Sequence, residues 1–325
     1  MSSPAVITQA VRIPDRLRHL VRQLRTGDEA AYLVTLTCAL SIVLVTSLLV
    51  YELLINSALS RHKFGWSFLF TQIWDPVEGR FGALPFVYGT CVTSLLALLI
   101  AVPLGVGAAI FLAELAPPRI SDILTFLIEL LAAVPSVIIG LFGFFVLVPM
   151  LRTVEPALRG ALGSLPLFQG PFYGVSLLAA GVVLSVMIIP FVISISREVL
   201  LAVPSEQREA ALALGANKWE STWQVVVPYA RKGIFGSVFL ALARALGETM
   251  AVTMVIGNQP KIHASLLAPG YSIAAVIASE FTEATGDLYL SALIELGLVL
   301  FALTIVINGL ARLMILTLTQ RGASA

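Results

Sequence analysis

Long unbroken apolar runs dominate this chain, with polar positions gathered into the segments between them. Six runs, over about residues 31–55, 85–113, 123–151, 172–196, 233–257 and 288–316, are long enough for a helix to cross about 30 Å of hydrocarbon. Backbone in lipid must satisfy its own hydrogen bonds, so each run predicts a helix. Runs of this length are unlike the ten-residue alternating segments of a membrane β-barrel. The predicted fold class is therefore all-α, an integral membrane bundle of six transmembrane helices. The polar segments divide it into a tail over 1–30, a first crossing over 31–55 and a loop over 56–84. A core over 85–316 follows, with five crossings and a polar loop at 197–232, and then a short tail over 317–325.

Composition agrees. Of 325 residues, 58% are hydrophobic and 12% charged, and the mean hydropathy is +0.95. A soluble chain carries about a quarter charged residues, so a soluble globule is excluded, as is a disordered chain. The two cysteines, Cys38 and Cys91, lie inside apolar runs and cannot found a disulfide scaffold. A net charge of +1 gives no reason to expect nucleic acid as a partner. The lipid bilayer is the surrounding that the composition demands.

Cations set the orientation. Arg12, Arg16, Arg18, Arg22 and Arg25 precede the first run, and Arg197, Arg208, Lys218, Arg231 and Lys232 fill the loop after the fourth. With Arg119, Arg312 and Arg321 they outnumber Arg61, Lys63, Arg80, Arg152, Arg159 and Lys261 on the other side. Both termini are expected in the cytoplasm. The basic stretch before the first run is too long, and the run itself longer than the 7–15 residues of a cleaved signal, so the run reads as a retained anchor.

Residues 197–232 do not read as a plain loop. Ser205 is a candidate N-cap with Glu206 in the first turn. Strong helix formers follow from Glu206 to Leu214, and Gly215 falls where a left-handed residue would end the helix. Asn217 and Glu220 have capping-box spacing, with Trp219, Trp223, Val226 and Val227 before Pro228. The expectation is two short helices with a sharp bend outside the bilayer. Ala210, Ala211 and Ala213 would let a partner approach closely, and Arg208 and Glu209 would fix its orientation. A helix lying on headgroups is the alternative, but Glu206, Glu209 and Glu220 would then face anionic lipid, which favours protein docking.

Charge also appears inside the runs. Arg244 and Glu248 are four apart in the fifth run and are expected to pair on one helix face. Ala241, Ala243, Ala245, Gly247 and Thr249 around them are small. Two readings stand side by side: a buried pair that fixes packing, and an anion path in which the guanidinium offers a fixed fork of donors. Glu129 and Glu295 also lie within runs. His19, His62 and His263 fall outside them without ligand-like spacing, so neither a metal nor any other cofactor is expected. Phe64, Trp66, Trp74 and Phe81 in the segment 56–84 read as an interfacial aromatic belt, or else as a platform for a substrate-delivering protein.

Glu209-Ala210-Ala211, with Gly215 four residues on and Pro228 at the loop's end, resembles the EAA loop of ABC-importer permeases. The chain contains no GxxxxGK[ST] phosphate loop, which suits a permease driven by a separate ATPase. Three further stretches resemble the C-type permease subunits of phosphate-specific Pst importers. They are Trp74-Asp75-Pro76 with Phe81-Gly82-Ala83-Leu84-Pro85-Phe86-Val87-Tyr88-Gly89-Thr90, the run from Val134 to Gly143, and Arg244-Ala245-Leu246-Gly247-Glu248-Thr249-Met250-Ala251.

The resemblance covers the chain from about residue 30 onward. It implies a type I importer permease bundle, MetI-like, with a cytoplasmic coupling helix, in the bacterial inner membrane. It implies inorganic phosphate as substrate, with Arg244 and Glu248, and Thr249 beside them, along its path. Arg208, Glu209, Ala210, Ala211 and Gly215 would dock the ATPase. The implied partners are a second related permease subunit, two ATP-binding subunits that carry out hydrolysis, and a periplasmic phosphate-binding protein. A permease for sulfate or molybdate, a proton-driven transporter using Glu248 and Glu129, and a purely structural subunit are the alternatives.

Overall fold

The computed structural model describes residues 28–321. Most of the tail expected over 1–30 therefore lies outside the described residues. Among them, regular structure is helical throughout, apart from one isolated bridge between Asp75 and Arg80. Six helices are long and apolar enough to cross a membrane: Ala31–Asn56, Leu84–Leu115, Ser136–Ala161, Leu177–Leu201, Lys218–Leu246 and Asp287–Leu313.

The chain divides into two units. The described residues of the first, which ends at Ile55, all belong to helix α1 (Asp28–Asn56), apolar along almost its whole length. The second begins with the short helix α2 (Ala58–Phe64), followed by a single turn at Ser67–Phe70. Helix α3 (Leu84–Ile110) then continues into a π-turn over Phe111–Leu115.

The third crossing departs from the sequence expectation. Instead of one helix over 123–151, α4 (Pro118–Ala132) stops short and α5 (Ser136–Phe142) starts afresh. It runs through a π-turn at Gly143–Leu147 into α6 (Val148–Leu162). The cause is Pro135, whose ring drives Val134 out of helical backbone. Glu129 consequently sits exposed on α4, outside the six spans.

Helix α7 (Leu177–Leu201) matches the fourth apolar run shifted by a few residues, and Ser176 caps it by accepting the Ala179 N–H at 3.1 Å. Next come α8 (Ser205–Ala213) and α9 (Lys218–Ser221). The expected capping box is formed in both directions, Asn217 Oδ1 to the Glu220 N–H at 2.9 Å and Glu220 Oε2 to the Asn217 N–H at 2.8 Å. The second short helix does not end at Pro228, however. It passes through a π-turn at Thr222–Val226 into α10 (Val227–Leu246), so the fifth crossing starts some fifteen residues earlier than expected. Helix α11 (Met250–Ile256) follows a break at 247–249, then α12 (Ile273–Glu280) and α13 (Asp287–Arg321), which extends into the stretch 317–325 expected as tail.

One device recurs. Each π-turn ends two residues before a proline: Leu115 before Pro117, Leu147 before Pro149, Val226 before Pro228. A proline ring inside a helix clashes with the carbonyl four residues back. In all three cases that carbonyl lies at the centre of the widened turn, at Ala113, Phe145 and Gln224. At Pro149 and Pro228 the wide turn makes room for the ring, and the helix continues through a residue that would otherwise break it; at Pro117 the backbone turns extended at Ala116 and the helix ends there.

Three apolar clusters hold the second unit together. The central one joins Ala97 and Ala101 of α3, Leu184 and Ile188 of α7, and Ala251 and Val255 of α11. Small residues bring these helices close, as membrane helices require: Gly105 faces the Val192 side chain and Gly181 faces Leu96. At the α8 end, Ile110, Leu112, Leu200, Val203 and Val226 pack together. At the opposite end Phe68, Phe81, Phe86, Tyr271 and Leu293 form the third cluster. Trp74 and Phe81 therefore belong to a packed core, not to an aromatic belt, whereas Trp66 is 82% exposed.

Candidate translocation face and docking helix

Arg244 occupies the last turn of α10. Its guanidinium lies 5.8 Å from the centre of the Phe191 ring, within reach of a cation–π attraction. Phe191 stands fourteen residues into α7, about 21 Å along the axis at about 1.5 Å per residue. Arg244 is thus well inside the apolar length of the bundle, and it is exposed on the surface of the single chain. A guanidinium facing bare hydrocarbon is expensive, so this surface calls for a polar covering.

The expected Arg244–Glu248 pair does not form, although ion pairs close elsewhere, among them Arg80–Glu78, Arg159–Glu155 and Arg208–Glu114. The physical reason is that α10 ends at Leu246. Gly247 leaves helical geometry with ψ 0°, so the two residues no longer share a helix face. Glu248 turns instead to the next helix, where its Oε1 accepts the Ala251 N–H at 3.2 Å. Thr249, half-buried, accepts at its carbonyl both the Thr253 N–H at 3.0 Å and the Thr253 hydroxyl at 2.7 Å. Arg244, Glu248 and Thr249 therefore line one broken stretch between α10 and α11. The arginine is left unneutralised there.

The docking candidates lie on α8 and its end. Pro204, not Ser205, holds the N-cap position, and Ser205 is the first helical residue. Gly215 adopts φ +93°, the left-handed conformation expected of it, and lets the Ala216 N–H reach the Ala211 carbonyl at 3.1 Å. Glu209, Ala210 and Gly215 are exposed, together with Leu214, which is 90% exposed at the tip. Ala211 is only 8% exposed and faces its own subunit.

Arg208 is also turned inward. Its Nη2 donates to Glu114 Oε1 at 2.8 Å and to the Leu200 carbonyl at 2.8 Å, its Nε donates to Glu114 Oε2 at 3.2 Å, and its Nη1 donates to the Val203 carbonyl. The sequence reading passed over Glu114. The available signal was a lone acid at the end of an otherwise apolar crossing.

At the opposite end, Glu280 accepts the Trp74 Nε1–H at 2.9 Å and the Tyr289 hydroxyl at 2.6 Å, tying segment 56–84 to α12 and α13. Tyr271 hydrogen-bonds Ser279 beside it. Burial pushes the Tyr271 hydroxyl up to about 12; the Ser279 contact pulls the other way, and the charge of Glu280 adds to the rise.

The fold is that of ABC-transporter permeases. It matches a chain of the bacterial alginate ABC transporter solved with an alginate pentasaccharide-bound periplasmic protein, with TM-score 0.59 and 15% identity over 90% of this chain and 96% of that one. It also matches a chain of the MetNI methionine ABC transporter in an inward-facing conformation, with TM-score 0.53 and 15% identity over 75% and 99%. In sequence, the phosphate transport system permease protein PstC of Mesorhizobium japonicum is 46% identical over 306 residues, covering 93% of this chain and 94% of that protein. The proteins of the same name from Xylella fastidiosa and Haemophilus influenzae are 50% identical over 262 residues (79% and 81% covered) and 47% identical over 287 (87% and 91% covered). Residues 101–318 match the family described as binding-protein-dependent transport system inner membrane component, and the chain belongs to that family.

Proposed function

We propose that this chain is the transmembrane permease subunit of an ATP-driven importer of inorganic phosphate. The observation that carries the reading is Arg244, an unneutralised guanidinium at depth in an apolar bundle, exposed where a companion subunit would cover it. Its fork of donors suits a tetrahedral oxyanion, and relatives at 46% to 50% identity bear the name of phosphate permeases. A second, related permease subunit completes the path, with Arg244, Glu248 and Thr249 along it. Of two ATP-binding subunits, one grips the face of α8 made by Glu209, Ala210 and Gly215, with Arg208 and Ala211 supporting that face from beneath. A periplasmic phosphate-binding protein delivers the substrate. Both termini lie in the cytoplasm, on the side of α8.

Purified complex reconstituted into vesicles, given labelled phosphate, sulfate or molybdate, provides the test. Uptake of phosphate alone, requiring ATP and the binding protein, is the expected result. Equal uptake of sulfate, or uptake driven by a proton gradient without ATP, would refute the proposal.

A further inference from the structure

Arg208 meets three parts of the chain at once. Its Nε and Nη2 face the Glu114 carboxylate as a fork, at 3.2 and 2.8 Å, from the π-turn that ends the second crossing. The same Nη2 and the Nη1 take the carbonyls of Leu200 in the last turn of α7 and of Val203 just beyond it, the Leu200 carbonyl also accepting the Val203 N–H at 3.3 Å. Arg208 itself belongs to α8. The side chains are 23% exposed for Arg208 and 9% for Glu114, so the pair is shielded from solvent and salt. Glu206 and Glu209, on the same helix, are exposed and, among the described residues, form no ion pair.

We infer that Glu114 and Arg208 are a positioning pair that couples the docking helix to the second crossing, and that Arg208 acts through Glu114 without touching the ATP-binding subunit. The inference rests on the importer reading above. A force applied to the exposed face of α8 must reach helices that line the path. A lone short helix on flexible ends would absorb it. The guanidinium closes that gap: a displacement of α8 carries the end of α3 and the end of α7 with it, because one planar group with fixed donors holds both. Lysine could not replace it, since a single ammonium lacks the fork.

The test uses the reconstituted complex with Glu114→Gln, Arg208→Gln and the double variant. Each single variant is expected to keep the ATP-binding subunits bound and hydrolysing while phosphate taken up per ATP falls at least tenfold. The double variant should fall no further than either single, since the residues act as one unit. Arg208→Lys should behave as Arg208→Gln. Unchanged uptake per ATP in Glu114→Gln would overturn the inference, as would multiplying losses in the double variant. Release of the ATP-binding subunits by Arg208→Gln but not by Glu114→Gln would assign Arg208 to docking instead.

A second measurement needs no transported substrate. With Cys38 and Cys91 replaced by serine, spin labels at Gln207 and Leu104 should keep one separation in nucleotide-free and ATP-trapped complex. In Glu114→Gln that separation should change between the two states. A constant separation in both proteins overturns the coupling even if phosphate transport holds, whereas a wild-type complex that takes up no phosphate overturns only the importer reading.

Discussion

Replacing Arg244 with glutamine keeps a polar, though shorter, side chain and removes its charge. The guanidinium is held near Phe191 and receives no compensating carboxylate, because Glu248 caps α11 instead. Its attraction for an anion in the path is therefore undiminished by a neighbour. Two unit charges about 4 Å apart interact by about 4 kcal/mol at an effective dielectric near 20. A path that stays partly hydrated would keep about half of that. At about 1.4 kcal/mol per power of ten, Arg244→Gln should lower uptake at limiting phosphate by about 30- to 1000-fold. Arg244→Lys keeps the charge, loses the fork, and should fall in between. The assay is ATP-dependent uptake of labelled phosphate into vesicles, with co-purification of all subunits confirming assembly. Uptake by Arg244→Gln within threefold of wild type would show that the anion does not pass this group.

Two further outcomes follow from the geometry. Glu209→Lys with Ala210→Glu changes only exposed positions of α8 and should release the ATP-binding subunits from purified membranes; undiminished co-purification would reject the docking face. A methyl group at Gly89 would meet the Tyr271 carbonyl at 2.1 Å, whereas one at Gly107 would meet nothing within 4 Å. Gly89→Ala should therefore destabilise by about 1–3 kcal/mol, measured as a lowered unfolding midpoint in detergent, while Gly107→Ala should not move it; equal midpoints would refute the close approach.

The apolar runs made the number of crossings legible, because hydrocarbon imposes both length and composition on a helix that spans it. They did not locate two of the boundaries. Pro135 did not stand out as the point where α4 ends and the third crossing begins, since the apolar stretch continues on both sides of it. Pro228 misled in the opposite sense. It looked like a stop, yet the wide turn at Thr222–Val226 accommodates its ring. The capping box at Asn217 and the left-handed Gly215 were legible because they depend on a few adjacent residues. The Arg208–Glu114 pair joins residues 94 apart and the lost Arg244–Glu248 pair turns on one backbone break; neither leaves a local pattern to read.

A wide turn does more than spare a proline. Each extra residue it takes up winds everything beyond it by about 100° relative to an uninterrupted helix, at about 3.6 residues per turn. In the fifth crossing the swelling at Thr222–Val226 lies between α8 and Arg244. The azimuth of the arginine is thus written some twenty residues upstream of it. Tightening that swelling, by deleting a single residue there, would leave the composition of the crossing almost intact and yet swing the charge a quarter-turn away from its present bearing.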